Sequence, residues 1–554
     1  MSRVRHHVAI GTEGGDVELS RRDKTLTLVG IVMALFLGAL DQTIVATALP
    51  SMVDDLGGVS RYAWVVTAYV LASTVLVPVY GKLADMLSRR RIELFAVVTF
   101  LIGSFLCGAA GQFGTLPLLG DGMTQLIVFR ALQGIGGAGL FAMAFIVISD
   151  LYPPRERGKY LGLIGAVFAI ASVLGPWLGG LLTDHAGGIV PGVAGWRWVF
   201  YVNLPVGAVA LWFIVTRMPP LRPRSTGQRL DLVSVALLIL TLVPLVLGLQ
   251  FDRTIYPWGG AVTVGTLSAA AVFGLAFVLR SLTSANPVLD LRLFRNRVFA
   301  VANGAGFFLG ATFLSLLVFV PLYLVNVLGV SATEAGVALI PLSLGVSVGA
   351  IGAGQLASRL GRYKPIMLVA IAVLLVAAVL MTTLDADSPY GRVVWIMVVA
   401  GLGIGPGFPL YTVAIQNAVE GHLVGQATSA AQFFRLIGGA VGTALMGAVL
   451  ATTLAAAFAQ LPDASALPEG ALDPSRFAGE VAGDAGEDLA RALESELGAE
   501  GLALAADLSE ALRNAFATAV SRVFGVLLWL VIAAASLTLW LPGLELRGAA
   551  PARR

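Results

Sequence analysis

Three charged side chains lie inside long apolar stretches, and chemistry can start from them. Asp41 falls in residues 25–50, Arg130 in 123–150 and Arg435 in 424–458; Asp150 marks the end of the second stretch. A charge near the middle of a hydrocarbon layer costs roughly 2.5–3.5 kcal/mol even on a mild insertion scale, so each needs a partner or a task. If the first stretch begins at Thr25, Asp41 lies about 25 Å along it at 1.5 Å per residue. Arg130 lies about 10 Å from the start of its own stretch, which runs the other way. In a core about 30 Å thick both fall in the same half, and they pair if the two stretches are neighbours. Burial and a nearby arginine push a carboxyl's proton affinity in opposite directions, so the balance decides where such a group loads and unloads a proton. Two readings of Asp41 stay open. It is a proton-and-cation site that holds a cationic substrate when ionised, or a structural ion pair that fixes the first stretch against the fourth. Arg130 then orients and tunes Asp41. Arg435 has no acid at comparable depth in the C-terminal half and either packs, snorkels or lines a polar cavity. Trp64, Tyr69, Phe307, Phe308, Phe408, Tyr411, Phe433 and Phe434 are further candidates for a cavity wall, where rings attract lipophilic cations.

Elements long enough to carry these charges across a bilayer follow from composition. Of 554 residues, 57% are apolar and 12% charged, and the mean hydropathy is +0.86. Soluble domains carry about a quarter charged residues, so lipid is the solvent for much of this chain, and a secreted, cytosolic or nucleic-acid-binding protein is excluded. Charge-free intervals of about 20 residues or more count fourteen helical spans. Glu93, for example, serves to bound the third. Unbroken apolar runs also exclude β-barrel strands, which alternate. With the N-terminus inside, 26 Lys and Arg fall in cytoplasmic segments and seven in outer ones. The imbalance places both termini in the cytoplasm of a multi-pass cell-membrane protein, a bacterial plasma membrane being expected. No cleavable leader is expected, since residues 1–24 are polar. Segment 461–513 carries twelve Asp/Glu against three Arg. Its leucines recur at helical spacing, so it is an acidic outer spacer or a docking surface for a partner.

The chain also contains itself twice. Gly81-Lys-Leu83-Ala84-Asp85-Met-Leu-Ser88-Arg89-Arg-Arg91 recurs at an offset of 273 as Gly354-Gln-Leu356-Ala357-Ser358-Arg-Leu-Gly361-Arg362-Tyr-Lys364. Gly175-Pro176-Trp-Leu-Gly179-Gly180 has a counterpart in Gly438-Gly439-Ala-Val-Gly442, with Gly175 matching Gly442 at an offset of 267. Parallel six-helix repeats with two spans inserted between them account for both offsets, and such repeats point to alternating access around a midplane site. The expected organisation is a tail over 1–24, a bundle over 25–217, two inserted helices within 218–285, a second bundle over 286–541 and a tail over 542–554.

At these residues the chain resembles the major facilitator superfamily, and within it the fourteen-span drug:proton antiporters. Leu40-Asp41-Gln-Thr43-Ile44-Val45-Ala-Thr-Ala48-Leu49-Pro50 resembles the family's first-span signature, and Gly81 to Arg91 its cytoplasmic loop motif. Arg130-Ala-Leu-Gln133-Gly134-Ile-Gly136-Gly137-Ala138 resembles its fourth-span motif, and Gly175-Pro176-x-x-Gly179-Gly180 the antiporter motif of span five. Trp196-Arg197-Trp198-Val-Phe200-Tyr-Val-Asn203-Leu-Pro205-Val-Gly207 also matches this branch. Ser88 replaces the usual Gly, Met86 a frequent Arg, and Ser358 the Asp of the second loop copy. The resemblance implies a proton-coupled exporter of lipophilic, often cationic compounds, with Gly81, Asp85, Arg89 and Asp150 as a cytoplasmic latch. Gly175, Pro176, Gly179 and Gly180 are expected to form a tight, bendable contact between the halves.

An exporter of a lipid or metabolite on the same fold, or a non-transporting receptor or scaffold, are the alternatives. If Asp41 is the sole proton carrier, one proton enters per cycle. No enzyme is expected, because no nucleophile–base pair is visible. The four histidines lack metal spacing, and no phosphate-binding Gly-rich loop supports ATP. Cys107 is the one cysteine, read as a small buried apolar residue. No cofactor beyond the coupling proton, no metal and no nucleic acid is expected. The partners are a small molecule and the bilayer, and the chain is expected to be monomeric.

Overall fold

The computed structural model describes residues 20–546, except 58–60, 113, 118, 189–192, 220, 222–228, 252–254, 331 and 459–512. The acidic segment 461–513 and both tails thus fall largely outside the described residues. Fourteen helices are long and apolar enough to cross a membrane. They are numbered here in chain order: α1 Arg21–Leu56, α2 Tyr62–Met86, α3 Arg89–Ala109, α4 Gly122–Leu151 and α5 Pro154–His185. The series continues with α6 Gly195–Arg217, α7 Leu232–Gln250, α8 Ala261–Thr283, α9 Arg297–Asn326 and α10 Glu334–Leu360. It ends with α11 Lys364–Thr382, α12 Tyr390–Ala418, α13 Val424–Phe458 and α14 Arg513–Trp540. The first helix starts at Arg21, one turn before the expected Thr25, because Ser20 accepts the Asp23 N–H and caps it. Asp121, Asp231 and Asn296 cap α4, α7 and α9 in the same way. Gly361, at φ 68°, ends α10 in the left-handed conformation that glycine adopts without a Cβ penalty.

Packing repeats as the sequence does. In the first half α1 packs on α5 and α6, and α4 on α2 and α3; α9 packs on α13, and α12 on α10 and α11, in the second. Across the halves, α2 packs on α13 and α5 on α10. The repeat sends α2 to α10 and α5 to α13, so it exchanges these two contacts, as a pseudo-two-fold axis between the halves requires. The inserted α7 and α8 form a hairpin packed mainly on itself. Asp231 ties it, accepting from Arg280 Nε at 2.9 Å and Ser284 Oγ at 2.6 Å. Outward-facing Trp177, Trp212, Trp395, Trp529 and Trp540 are all more than half exposed, as amphipathic rings are where protein meets lipid and headgroups. The arginine-rich ends of the helices, where α1 begins, also hold residue 546: Leu546 N donates to Gly361 O at 3.0 Å, and Arg362 pairs with Glu545 at 2.8 Å. Both ends of the described chain therefore lie on this basic face.

Candidate functional site

Asp41 and Arg130 meet because α1 and α4 are neighbours, and both are fully enclosed. Arg130 Nη1 donates to Asp41 Oδ2 at 2.6 Å and to Gln133 Oε1 at 2.7 Å. The other carboxylate oxygen accepts from Gln133 Nε2 at 2.7 Å and Asn203 Nδ2 at 2.9 Å. Arg130 Nε donates to Val65 O at 3.2 Å, and the guanidinium lies 4.3 Å from the Tyr69 ring centroid. Asn203 also donates to Ser104 Oγ at 3.0 Å, which donates onward to Phe200 O at 2.9 Å. Five of the first half's helices thus contribute to one polar cluster in an apolar interior. Geometry this complete is what a charge pair needs to repay its desolvation. Gln133, Asn203 and Ser104 are the functional candidates that charge-counting misses. The signal that could find them is polarity at helical spacing: Gln133 follows Arg130 by three residues, and so shares its face.

Arg435 stands alone on α13. It donates to Gln432 Oε1, and its guanidinium lies 4.5 Å from the Phe408 ring centroid and 5.8 Å from that of Phe145, which belongs to the other half. Among the described residues no carboxylate pairs with it. The aromatic candidates divide. Phe408 is part-buried beneath Arg435 and meets Phe313 edge-on; Phe307 and Phe308 are part-buried and edge-on at 5.4 Å; Trp64 is exposed. Phe434 is part-buried and packs on Phe294 and Phe433. Tyr69, Tyr411 and Phe433 do not fit the expected cavity wall. Tyr69 is fully buried under Arg130, Tyr411 shares a hydrogen bond with Thr538 of α14, and Phe433 is 5% exposed.

The latch residues come together on the basic face. Asp85 Oδ1 accepts from Gly425 N at 3.2 Å and Oδ2 from Gln426 N at 3.0 Å, so the carboxylate sits on the N-terminus of α13 and gains from its dipole. Arg89 Nε bonds Asp150 Oδ2 at 2.8 Å. A Cβ at Gly81 would lie 2.9 Å from Gly425 O and collide with Ser429, so the α2–α13 contact needs glycine there. The span-five motif requires a correction. Gly175 and Gly179 pack on Thr43, Ile44 and Thr47 of α1, within one half. Thr43 Oγ1 donates to Ala171 O at 2.9 Å in the turn before Pro176, while Gly180 has open space around it. Contact between halves is made earlier on the same helix. A Cβ at Gly158 would lie 3.0 Å from Gly354 O, and one at Gly162 2.9 Å from Ile351 Cα; Ser347 Oγ donates to Gly165 O at 2.6 Å. Arg157 reaches Gln416 at 3.4 Å and Arg155 reaches Ser358 O at 3.1 Å. These bonds close the halves on the basic face. A cavity of about 340 Å³ at the contact of Asp85 with the N-terminus of α13 is lined by Lys82, Asp85, Asp290, Arg292, His422 and Gln426, among others. Among the described residues no acid–histidine–cysteine group could hold a metal.

Two repeated helical halves around buried charges define a multi-pass membrane transporter rather than an enzyme. The Major Facilitator Superfamily pattern matches residues 31–443, and the chain belongs to that family. It is 37% identical over 427 residues to "Multidrug transporter protein MdtP" of Bacillus subtilis, covering 77% of this chain and 75% of that protein. To "Multidrug resistance protein 3" of the same organism it is 36% identical, covering 76% and 78%. The crystal structure of the human organic anion transporter MFSD10 (TETRAN) shares the fold at a TM-score of 0.57 and 14% identity, over 92% of this chain and 99% of that one.

Proposed function

We propose that this protein is a proton-coupled secondary active exporter of lipophilic, often cationic compounds, working by alternating access. The carrying observation is the Asp41–Arg130 pair, sealed among apolar helices of one half with every carboxylate oxygen bonded. A group so enclosed exchanges a proton only when the surrounding helices move, which is the coupling an antiporter needs. The basic face is the cytoplasmic side in this reading, following the positive-inside bias, and the membrane is the plasma membrane. The latch then closes the cytoplasmic side, leaving the site to load its proton from outside. The named relatives, a multidrug transporter and a multidrug resistance protein, support the breadth of transport. No bound cofactor enters the cycle, and the working unit is one chain.

A second reading of the substrate class rests on Arg435. Its charge is uncompensated by any described carboxylate and borders both halves, which favours compounds that carry an anionic or strongly accepting group. Uptake into everted vesicles tests both. Acidifying the lumen should drive accumulation of the fluorescent cation ethidium, and Asp41→Asn should abolish it. Should fluorescein-type anions be driven in while ethidium stays out, the Arg435 reading replaces the cationic one.

A further inference from the structure

Glu93 has no place in the site just described, yet it is completely buried on α3, and neither carboxylate oxygen has a hydrogen-bond partner among the described residues. One helical turn earlier on the same face stands Arg89, also completely buried, whose Nη2 is likewise unpartnered. Arg89 is occupied elsewhere: Nε bonds Asp150, and Nη1 donates to Ala84 O and, at 3.4 Å, to Leu87 O. An ionised carboxylate with no donor, out of water, is too costly to persist, so in this closed arrangement Glu93 is neutral. The groups around it agree. From α2 comes the hydroxyl of Tyr80, also buried and without a partner. The Tyr80 ring packs where α3 and α4 meet, since a Cβ at Gly139 would touch both it and Ala96. From α4 comes Asp150, already bonded to Arg89. Between Asn203 and Arg217, α6 offers no ionisable side chain. On α3 itself Arg90 turns away to Val215 O, and Arg91 is exposed.

We infer that Glu93 is a second proton-binding site, which holds its proton while Arg89 is locked on Asp150 and releases it when the latch opens and Arg89 turns to it. In the step the Glu93 O–H bond breaks, the proton passes to water at the basic face, and the carboxylate accepts from the guanidinium. Opening toward that face is thereby favoured by alkaline pH there and opposed by acid. Its role in a transport cycle rests on the proton-coupled reading above; the switch itself does not.

The test uses the full chain in detergent with Cys107→Ser and Ser429→Cys. Position 429 is 1% exposed under the latch, so its alkylation by N-ethylmaleimide reports opening. The other ionisable groups near the same contact are common to both chains, so the ratio of rates with Glu93 and with Glu93→Gln isolates Glu93. This ratio should rise with pH by up to about tenfold per unit, the limit for one linked proton. A ratio that does not change with pH overturns the proposal. Infrared difference spectra between the unmodified chain and Glu93→Gln give a readout that needs no opening. A protonated-carboxyl band should be present at acid pH and missing from Glu93→Gln, and its persistence in that variant overturns the proposal equally. Should Glu93→Gln not fold, Glu93→Asp serves, because its band must shift. If the chain moves neither ethidium nor a fluorescein-type anion yet passes these tests, the transport reading fails and the switch stands.

Discussion

Asp41 receives three donors, from Arg130, Gln133 and Asn203, and the role of each follows from what it leaves behind if removed. Stripping one partner from a buried ion pair costs about 3–5 kcal/mol, because the other charge stays buried. Asp41→Asn keeps the volume and one acceptor but cannot carry a proton. It should insert and fold with a lowered melting temperature, and show no uphill efflux in vesicles; near-normal uphill efflux would remove Asp41 from coupling. Asn203→Leu deletes one donor to a charged acceptor, a loss of about 1.5–3 kcal/mol. Thermal denaturation in detergent should register it, and an unchanged midpoint would show that the third donor is dispensable. The charged pair was legible in the sequence because charges inside apolar runs are conspicuous. Gln133 and Asn203 stood in the motifs that carry the resemblance. Their convergence with Ser104 on Asp41 was not legible, since neutral polar residues are common in spans and only a fold shows which of them meet. Glu93 was misjudged for the converse reason. A charge near a helix start looks like a boundary, and its burial depends on α2 and α4 closing over it.

Helix α5 makes two kinds of glycine contact, and they predict different failures. Gly179 lies against α1 of its own half, where a Cβ would come within 2.7 Å of Ile44 O; Gly162 lies against α10 of the other half. Overpacking a tight contact costs about 1–3 kcal/mol. Gly179→Leu should therefore lower stability or make the carrier leak protons, whereas Gly162→Leu should spare stability and hinder closure on the basic face. Alkylation of Ser429→Cys should then rise with Gly162→Leu and stay low with Gly179→Leu; the reverse would return the span-five motif to the interface between halves. Spacing alone could not separate these roles, because Gly158, Gly162, Gly165, Gly175 and Gly179 all suit close approach and only the tilt of α5 decides which helix each meets. The α7–α8 hairpin carries a further expectation. Burial pushes the Asp231 carboxyl up, but hydrogen bonds from Arg280, Ser284 and Ser234 outweigh it and hold the group well below the usual carboxylate range. Its stabilisation is present above about pH 3.9, the ordinary value, and is lost as pH falls through the lower folded one. Hydrogen exchange in α7 and α8 should thus be faster in Asp231→Asn than in the parent at pH 7, and equal rates would show that the tie carries no load.

Across the whole molecule, the span count and the repeat were legible because a bilayer imposes a length on every helix, and because the loop motif at Gly81 returns at Gly354. The number of buried carboxylates was not legible, and the energetics of transport turn on it. With Asp41 alone as carrier, one proton enters for each monovalent cation exported, no net charge moves, and only the pH gradient drives the cycle. Should Glu93 reload its proton from the opposite face before the latch closes, it is a second carrier: two protons enter for one cation, so one positive charge moves inward per cycle. The membrane potential is worth about 2.3 kcal/mol per charge per 100 mV, enough to raise the attainable ethidium gradient about fiftyfold. An inside-negative potential set by valinomycin and potassium should therefore accelerate ethidium export by the parent at zero pH gradient. Glu93→Gln should lose that acceleration while still responding to a pH gradient, because Asp41 remains. A parent that ignores the potential carries one proton per cycle, and Asp41 is then the only coupling carboxylate.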